Sequence, residues 1–180
     1  MKKYLMYWVA CMLLFAGCHE DENELLDNNG FPKVTENNLD ASALIKEFFS
    51  HKGGDYPAQN PAYQEWEEDS YKTTFTCFHS PDELKESKYA AGIENLPPIE
   101  WQTQTLVICS VYSLTAICDE CFDFHVYKHS DKYTIDITMY EGDYNIQMVD
   151  DIGVAIVLAR KDIKNGDVKL VLNSQRIKLE

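Results

Sequence analysis

Residues 122–140 read FDFHVYKHSDKYTIDITMY. Two runs that alternate apolar and polar residues, rich in aromatic and β-branched side chains, flank a polar Ser130-Asp131-Lys132 break. That pattern predicts a half-buried β-hairpin. Upstream, Thr105 to Tyr112 (TLVICSVY) is apolar at successive positions, so both faces of that strand are expected to be buried. Downstream, DIGVAIVLAR (151–160) and VKLVLN (168–173) supply two more strands, separated by a KNGD turn centred on Asn165-Gly166. Tyr71 to Phe78 adds another by the same alternation.

Helical signals are fewer. SPDELKES starts with Ser80 as N-cap, Pro81 at the first helical position and Glu83 three residues after the cap, a capping box. In DASALIKEFFS (40–50), Leu44, Ile45, Phe48 and Phe49 are spaced for one helical face. Asp40 can cap that helix and Gly53-Gly54 end it. Between this helix and the Tyr71 strand, Pro57 and Pro61 break up an aromatic-rich loop. The expected fold class is α+β, a largely antiparallel β-sheet with one or two helices packed on one side, with a barrel-like all-β core as the alternative.

The N-terminus carries an address. Lys2 and Lys3 precede an uninterrupted apolar run from Tyr4 to Ala16, which is shorter than the roughly 20 residues a membrane-spanning helix needs and fits a signal h-region. Phe15-Ala16-Gly17-Cys18 resembles the lipobox of bacterial lipoproteins, with Phe15 where that motif more often has Leu. The resemblance implies a signal peptide over 1–17, cleavage before Cys18, acylation (palmitate) of that cysteine and a membrane anchor, to which each buried acyl CH₂ contributes about 0.8 kcal/mol. The acidic HEDENELLDNNG that follows is too poor in apolar residues to offset its ordering entropy, so 18–39 is expected to be a flexible tether and 40–180 a single globular domain. Acids directly after the lipidated cysteine also resemble the surface-export signal of Bacteroidetes lipoproteins. This implies an outer-membrane, lipid-anchored and surface-exposed protein, with a periplasm-facing one as the alternative. A formal net charge of −14 with no basic run excludes nucleic acid as a partner class, because a polyanion is bound by cationic side chains that release its counterions.

A second resemblance concerns the domain. FHSPDELKES, then NLPPIEWQTQTLVI, a hairpin and the late VAIVLARK strand are similar in order to the C-terminal domain of the PrcB-type subunit of bacterial protease complexes. Pro97, Ile99, Glu100 and Trp101 stand where that family has proline, an aliphatic residue, an acid and an aromatic. SLTAICDECFDF replaces the family's glycine-rich turn and Gly-Tyr pair. The resemblance implies a noncatalytic accessory module that binds protein, with no catalytic residue and no cofactor.

Other residues carry ligand or nucleophile chemistry. Cys118 and Cys121, with His125 and His129, have the ligand types of a zinc site. If 122–129 is a strand, however, the two histidines lie about 13 Å apart at 3.3 Å per residue and cannot share an ion. A thiol- or metal-dependent enzyme centred on Cys118 to His129 is therefore the alternative function, and no metal site is assigned. Cys118 and Cys121 are disulfide candidates, whereas Cys77 and Cys109 fall at core strand positions. These four cysteines allow three complete pairings, among which sequence does not choose. Glu67-Glu68 and Asp150-Asp151 read as solvated edges, and the DNNG and KNGDV fragments lack the full ligand run of a calcium loop. Tyr63 and Trp66, in the aromatic loop, are the candidate partner-binding anchors.

Overall fold

The computed structural model describes residues 25–51, 71–115, 117–141 and 147–176. Among them, seven strands form two sheets that do not close into a barrel. The first sheet runs in the order β1 (Leu44–His51), β6 (Gln147–Leu158), β3 (Thr105–Thr115) and β2 (Tyr71–Phe78), with every neighbouring pair antiparallel. The second runs β4 (Ile117–His129), β5 (Lys132–Glu141) and β7 (Val168–Arg176). In it, β4 and β5 are antiparallel and β5 and β7 parallel. The parallel pair follows from the path of the chain: it leaves β5, returns along β6 in the other sheet, and comes back as β7 in the direction of β5.

The expected hairpin is β4 and β5, paired from His129 and Lys132 through Phe122 and Met139. TLVICSVY is part of the central β3, and its two apolar faces have separate partners. Val107, Cys109 and Val111 face the space between the sheets, where they meet Val154 and Ile156 of β6 and Val126, Ile135 and Ile137 of the second sheet. Leu106 and Ile108 face outward and are covered, with Ala155 and Val157, by Leu84, Tyr89 and Phe78. Ser110, buried on that outer face, meets the Tyr89 hydroxyl at 3.3 Å. The one α-helix among the described residues, α1 (Pro81–Lys85), starts as expected. Glu83 N–H donates to Ser80 Oγ at 3.2 Å, but the Glu83 carboxylate reaches past the cap and accepts from His79 N–H at 2.7 Å.

Two expectations require correction. Residues 40–50 do not form a helix: Leu44–His51 is the edge strand β1. Its register with β6 slips by one between Glu47 and Phe49, so the apolar positions 44, 45, 48 and 49 mimic a helical spacing on an extended backbone. Asp40 caps a turn instead, its Oδ1 accepting from Ser42 N–H at 3.0 Å. The fold of the described residues is accordingly a helix-light, mostly antiparallel two-sheet structure with one short α-helix, rather than a clear α+β fold, and it does not form the barrel-like core that was the alternative.

The second correction is the start of the fold. Residues 25–39, assigned from composition to the tether, pack on the second sheet. DNNG is a turn in which Asp27 Oδ1 accepts from the N–H of both Asn29 and Phe31 at 2.9 Å, and Gly30 takes a φ of 75° that favours glycine. Leu26 and Pro32 pair across it, and buried Asn38 donates from Nδ2 to the carbonyls of Leu25 and Lys33. Lys132 Nζ donates to Asn29 O at 3.0 Å and lies 4.3 Å from the centre of the Phe31 ring. Lys169 Nζ donates to Asp27 Oδ2 at 2.7 Å. Composition missed this because Asp27 is not a solvated acid: it has Lys169 and two backbone donors.

The Lys169 hydrogen bond, with that of the Phe31 N–H, holds the Asp27 carboxyl at about 2. Its folded value lies below its unfolded one, so it stabilises the docked segment above about pH 4, and that contribution is lost as pH falls through 2. Amide exchange at Asn29 and Phe31 should accelerate below pH 3 before exchange at Ile135 does. Asp27→Asn should show the faster exchange already at pH 6.

Candidate functional site

α1 and the chain that follows it to β3 cover the outer face of the first sheet incompletely. Between them lies an open groove of about 220 Å³. Pro81, Leu84 and Lys85 form one wall, and Ile93, Leu96, Pro97, Ile99 and Trp101 form the rest. The local sequence explains the shape. After the 3₁₀ turn Ala90–Asn95, Leu96 is extended (φ −72°, ψ 149°), the conformation that a following proline favours, and Pro97 and Pro98 lead the chain on toward Trp101. Leu84 is buried and roots the wall in the core, whereas Ile93, Leu96, Ile99 and Trp101 stay half-buried. The volume is below the roughly 300–1,000 Å³ of small-molecule pockets and suits one or two inserted side chains. Lys85 is its one ionisable lining group. The segment 81–101 as a whole carries Asp82, Glu83, Glu86, Glu94 and Glu100, all exposed, against Lys85 and Lys88.

The thiols of Cys77 and Cys109 sit on the other side of the same sheet. Both are free. Cys77 pairs with Val107 and Cys109 with Phe75, which places the two cysteines diagonally on the face toward the second sheet. Burial, reinforced by the nearby Asp167 carboxylate, pushes the Cys77 thiol up to about 12. Burial likewise raises Cys109, fully enclosed in the core. Neither is an activated nucleophile, since the reactive species is the thiolate.

The sequence-derived site residues are distributed as follows. Cys18, Tyr63 and Trp66 lie outside the described residues, as do Glu67 and Glu68. Cys118 and Cys121 fall within β4, where Ile117 pairs with Glu141 and Phe122 with Met139, so four residues stand opposite Tyr140 alone. The pair therefore sits in an irregular stretch of β4, where the register with β5 shifts, rather than in a turn between strands. His125 and His129 are four residues apart on the continuous part of β4 and so about 13 Å apart, too far to share an ion. Among the described residues no cluster of metal-ligating side chains occurs. Asp150 and Asp151 lie in β6, opposite Ser113 and Tyr112 of β3.

One polar group was not legible in the sequence. Asp136, on the outer face of the second sheet, is buried and accepts from Asn173 Nδ2 at 2.7 Å. Burial raises its pKa, against the opposing pull of His125 directly across the β4–β5 ladder and of the Asn173 hydrogen bond. In the sequence it is one more polar member of YTIDITMY. On the same face, the Tyr140 hydroxyl donates to Asp123 at 2.7 Å, and that bond raises its own pKa. The groove was only partly signalled: NLPPIEW shows apolar residues around two prolines, but the opposing wall comes from α1.

Comparison with family models, with curated proteins and with solved structures finds no match for this chain.

Proposed function

We propose that the chain is an exported lipoprotein, anchored through Cys18 at the outer membrane and surface-exposed, whose folded part is a noncatalytic accessory module that binds a protein partner through the α1–Trp101 groove. The groove carries this reading: it is open, largely apolar and sized for side chains, and its one ionisable lining group is Lys85, an exposed lysine 3.9 Å from the Asp82 carboxylate. The acid excess of 81–101 specifies the occupant, a segment that inserts an apolar side chain and brings Lys or Arg beside it. The resemblance to the PrcB-type domain supports an accessory role, because Pro97, Ile99 and Trp101, three of the residues that carry it, line the groove. Tyr63 and Trp66 remain candidate anchors on the aromatic loop.

The test is photocrosslinking of the full chain in its native membrane, comparing wild type with Lys85→Glu and Ile99→Glu. Lys85 is well exposed, so the first variant should keep its melting temperature. Both variants should lose the crosslinked partner several-fold, and an arginine-flanked peptide carrying one leucine should compete for capture. Capture unchanged in both, with Tyr63→Ala or Trp66→Ala abolishing it, would move the contact to the aromatic loop. Turnover of a substrate that survives both groove variants would overturn the noncatalytic reading.

A further inference from the structure

The large apolar side chains that stand exposed among the described residues are Val34, Leu39, Leu44 and Ile45, all within one short stretch of chain. Isolated exposed apolar residues are ordinary, but these four share one end of the fold. Leu44 pairs with Val157 at the close of β6. Arg160, just beyond β6, donates to Asp131 O at 2.7 Å and lies 3.4 Å from the Asp131 carboxylate at the tip of the β4–β5 hairpin. Thr105, the first residue of β3, donates to Arg160 O at 2.7 Å. Lys132, beside the tip, holds Asn29. Leu39 bridges Tyr127 in the last turns of β4 before that tip. The start of β1, the start of β3, the hairpin tip and residues 25–39 are thus together.

The described chain also starts beside this end, where Asn38 Nδ2 donates to Leu25 O at 3.0 Å. Six residues separate Cys18 from Leu25, and a fully extended chain covers at most about 25 Å over that interval. The ordered hairpin at 25–33 uses up the length that composition had assigned to a tether. Charge points the same way: residues 33–46 balance Lys33 and Lys46 against Glu36 and Asp40, in a chain of net charge −14. A neutral, apolar-studded end is the part of this anionic domain that anionic or zwitterionic headgroups repel least. A second copy of the chain would bring another −14 to the contact.

We propose that this end seats on the bilayer surface that holds the anchor, with Val34, Leu39, Leu44 and Ile45 against the headgroup and acyl boundary and the irregular Cys118–Cys121 stretch of β4 at the opposite end. The proposal rests on the anchored reading of Cys18. Confinement by the lipid supplies a high effective concentration, so even a weak apolar contact is populated. β7 shows the polarity of the arrangement, starting beside the hairpin tip at Val168 and carrying exposed Gln175 to the far end.

The experiment places the photoreactive residue p-benzoylphenylalanine at position 39, 44 or 175 of the full acylated chain in vesicles of phosphatidylethanolamine and phosphatidylcholine. Lipid adducts should form from 39 and 44 and be several-fold scarcer from 175. Adducts equally abundant from 175, or adducts from 39 and 44 that join a second copy of the chain instead of lipid, would overturn the orientation. Intact mass distinguishes the other failure: a chain without acyl groups removes the anchored reading, and this orientation with it.

Discussion

Ile156→Ala should destabilise the folded chain by about 3–4 kcal/mol, near the middle of the range for deleting a buried aliphatic side chain to Ala. Ile156 is fully buried in β6, with Val107 opposite on β3 and Ile45 opposite on β1, and it faces the second sheet across the main core. The loss has two parts: transfer of the removed methyl and methylene groups, and a cavity that two hydrogen-bonded ladders prevent from collapsing. Urea unfolding measures the cost, and the melting temperature should fall by about 10 °C for a domain of this length. Leu44→Ala, on an exposed side chain one strand away, is the control and should cost well under 1 kcal/mol. A comparably small loss for Ile156→Ala would contradict the packing of the two sheets against each other.

The second large effect concerns the thiols. An ordinary thiol with a pKa of 9.0 is roughly one-tenth ionised at pH 8, whereas one pushed up to about 12 is ionised about a thousand-fold less. Alkylation of Cys77 by iodoacetamide at pH 8 in the folded chain should therefore be about a thousand-fold slower than in urea, and Cys109, raised in the same direction and fully enclosed, should be slower still. The sign also fixes a pH dependence. The folded pKa lies above the unfolded one, so the neutral-thiol contribution is fully present below pH 9 and declines as pH rises from there toward 12. Urea midpoints should fall between pH 9 and 11 in wild type and fall less in Cys77→Ala. Rapid alkylation of Cys77 in the native state, or equal alkaline sensitivity in the variant, would show that the β2 thiol is not held in the core.

The hairpin at 122–140, the doubly buried β3 and the helix start at Ser80 were legible from sequence because each is local: alternation sets a strand's faces, and a serine, a proline and a glutamate at fixed offsets set a cap. The segment 40–50 was misread because a one-residue bulge turns a period of two into an apparent helical spacing, and only pairing with β6 settles which backbone is adopted. Asp27 read as part of a solvated tether for a similar reason. Asp27 is stabilised by Lys169, 142 positions away, and no window of neighbouring residues contains that partner.

By itself, then, the sequence determined which segments alternate, where α1 begins, that the chain carries a strong negative charge, and that its N-terminus has the pattern of a lipoprotein signal. The tertiary structure alone decided how the seven described strands divide between two sheets, that β7 lies parallel to β5, that the groove is walled by α1 on one side and Pro97 to Trp101 on the other, and that residues 25–39 belong to the folded part. The physical reason is range. Side-chain alternation and capping are read within a few residues, whereas sheet membership, the sharing of a buried face and the pairing of a distant charge depend on contacts whose worth appears only once loop closure has brought remote segments together.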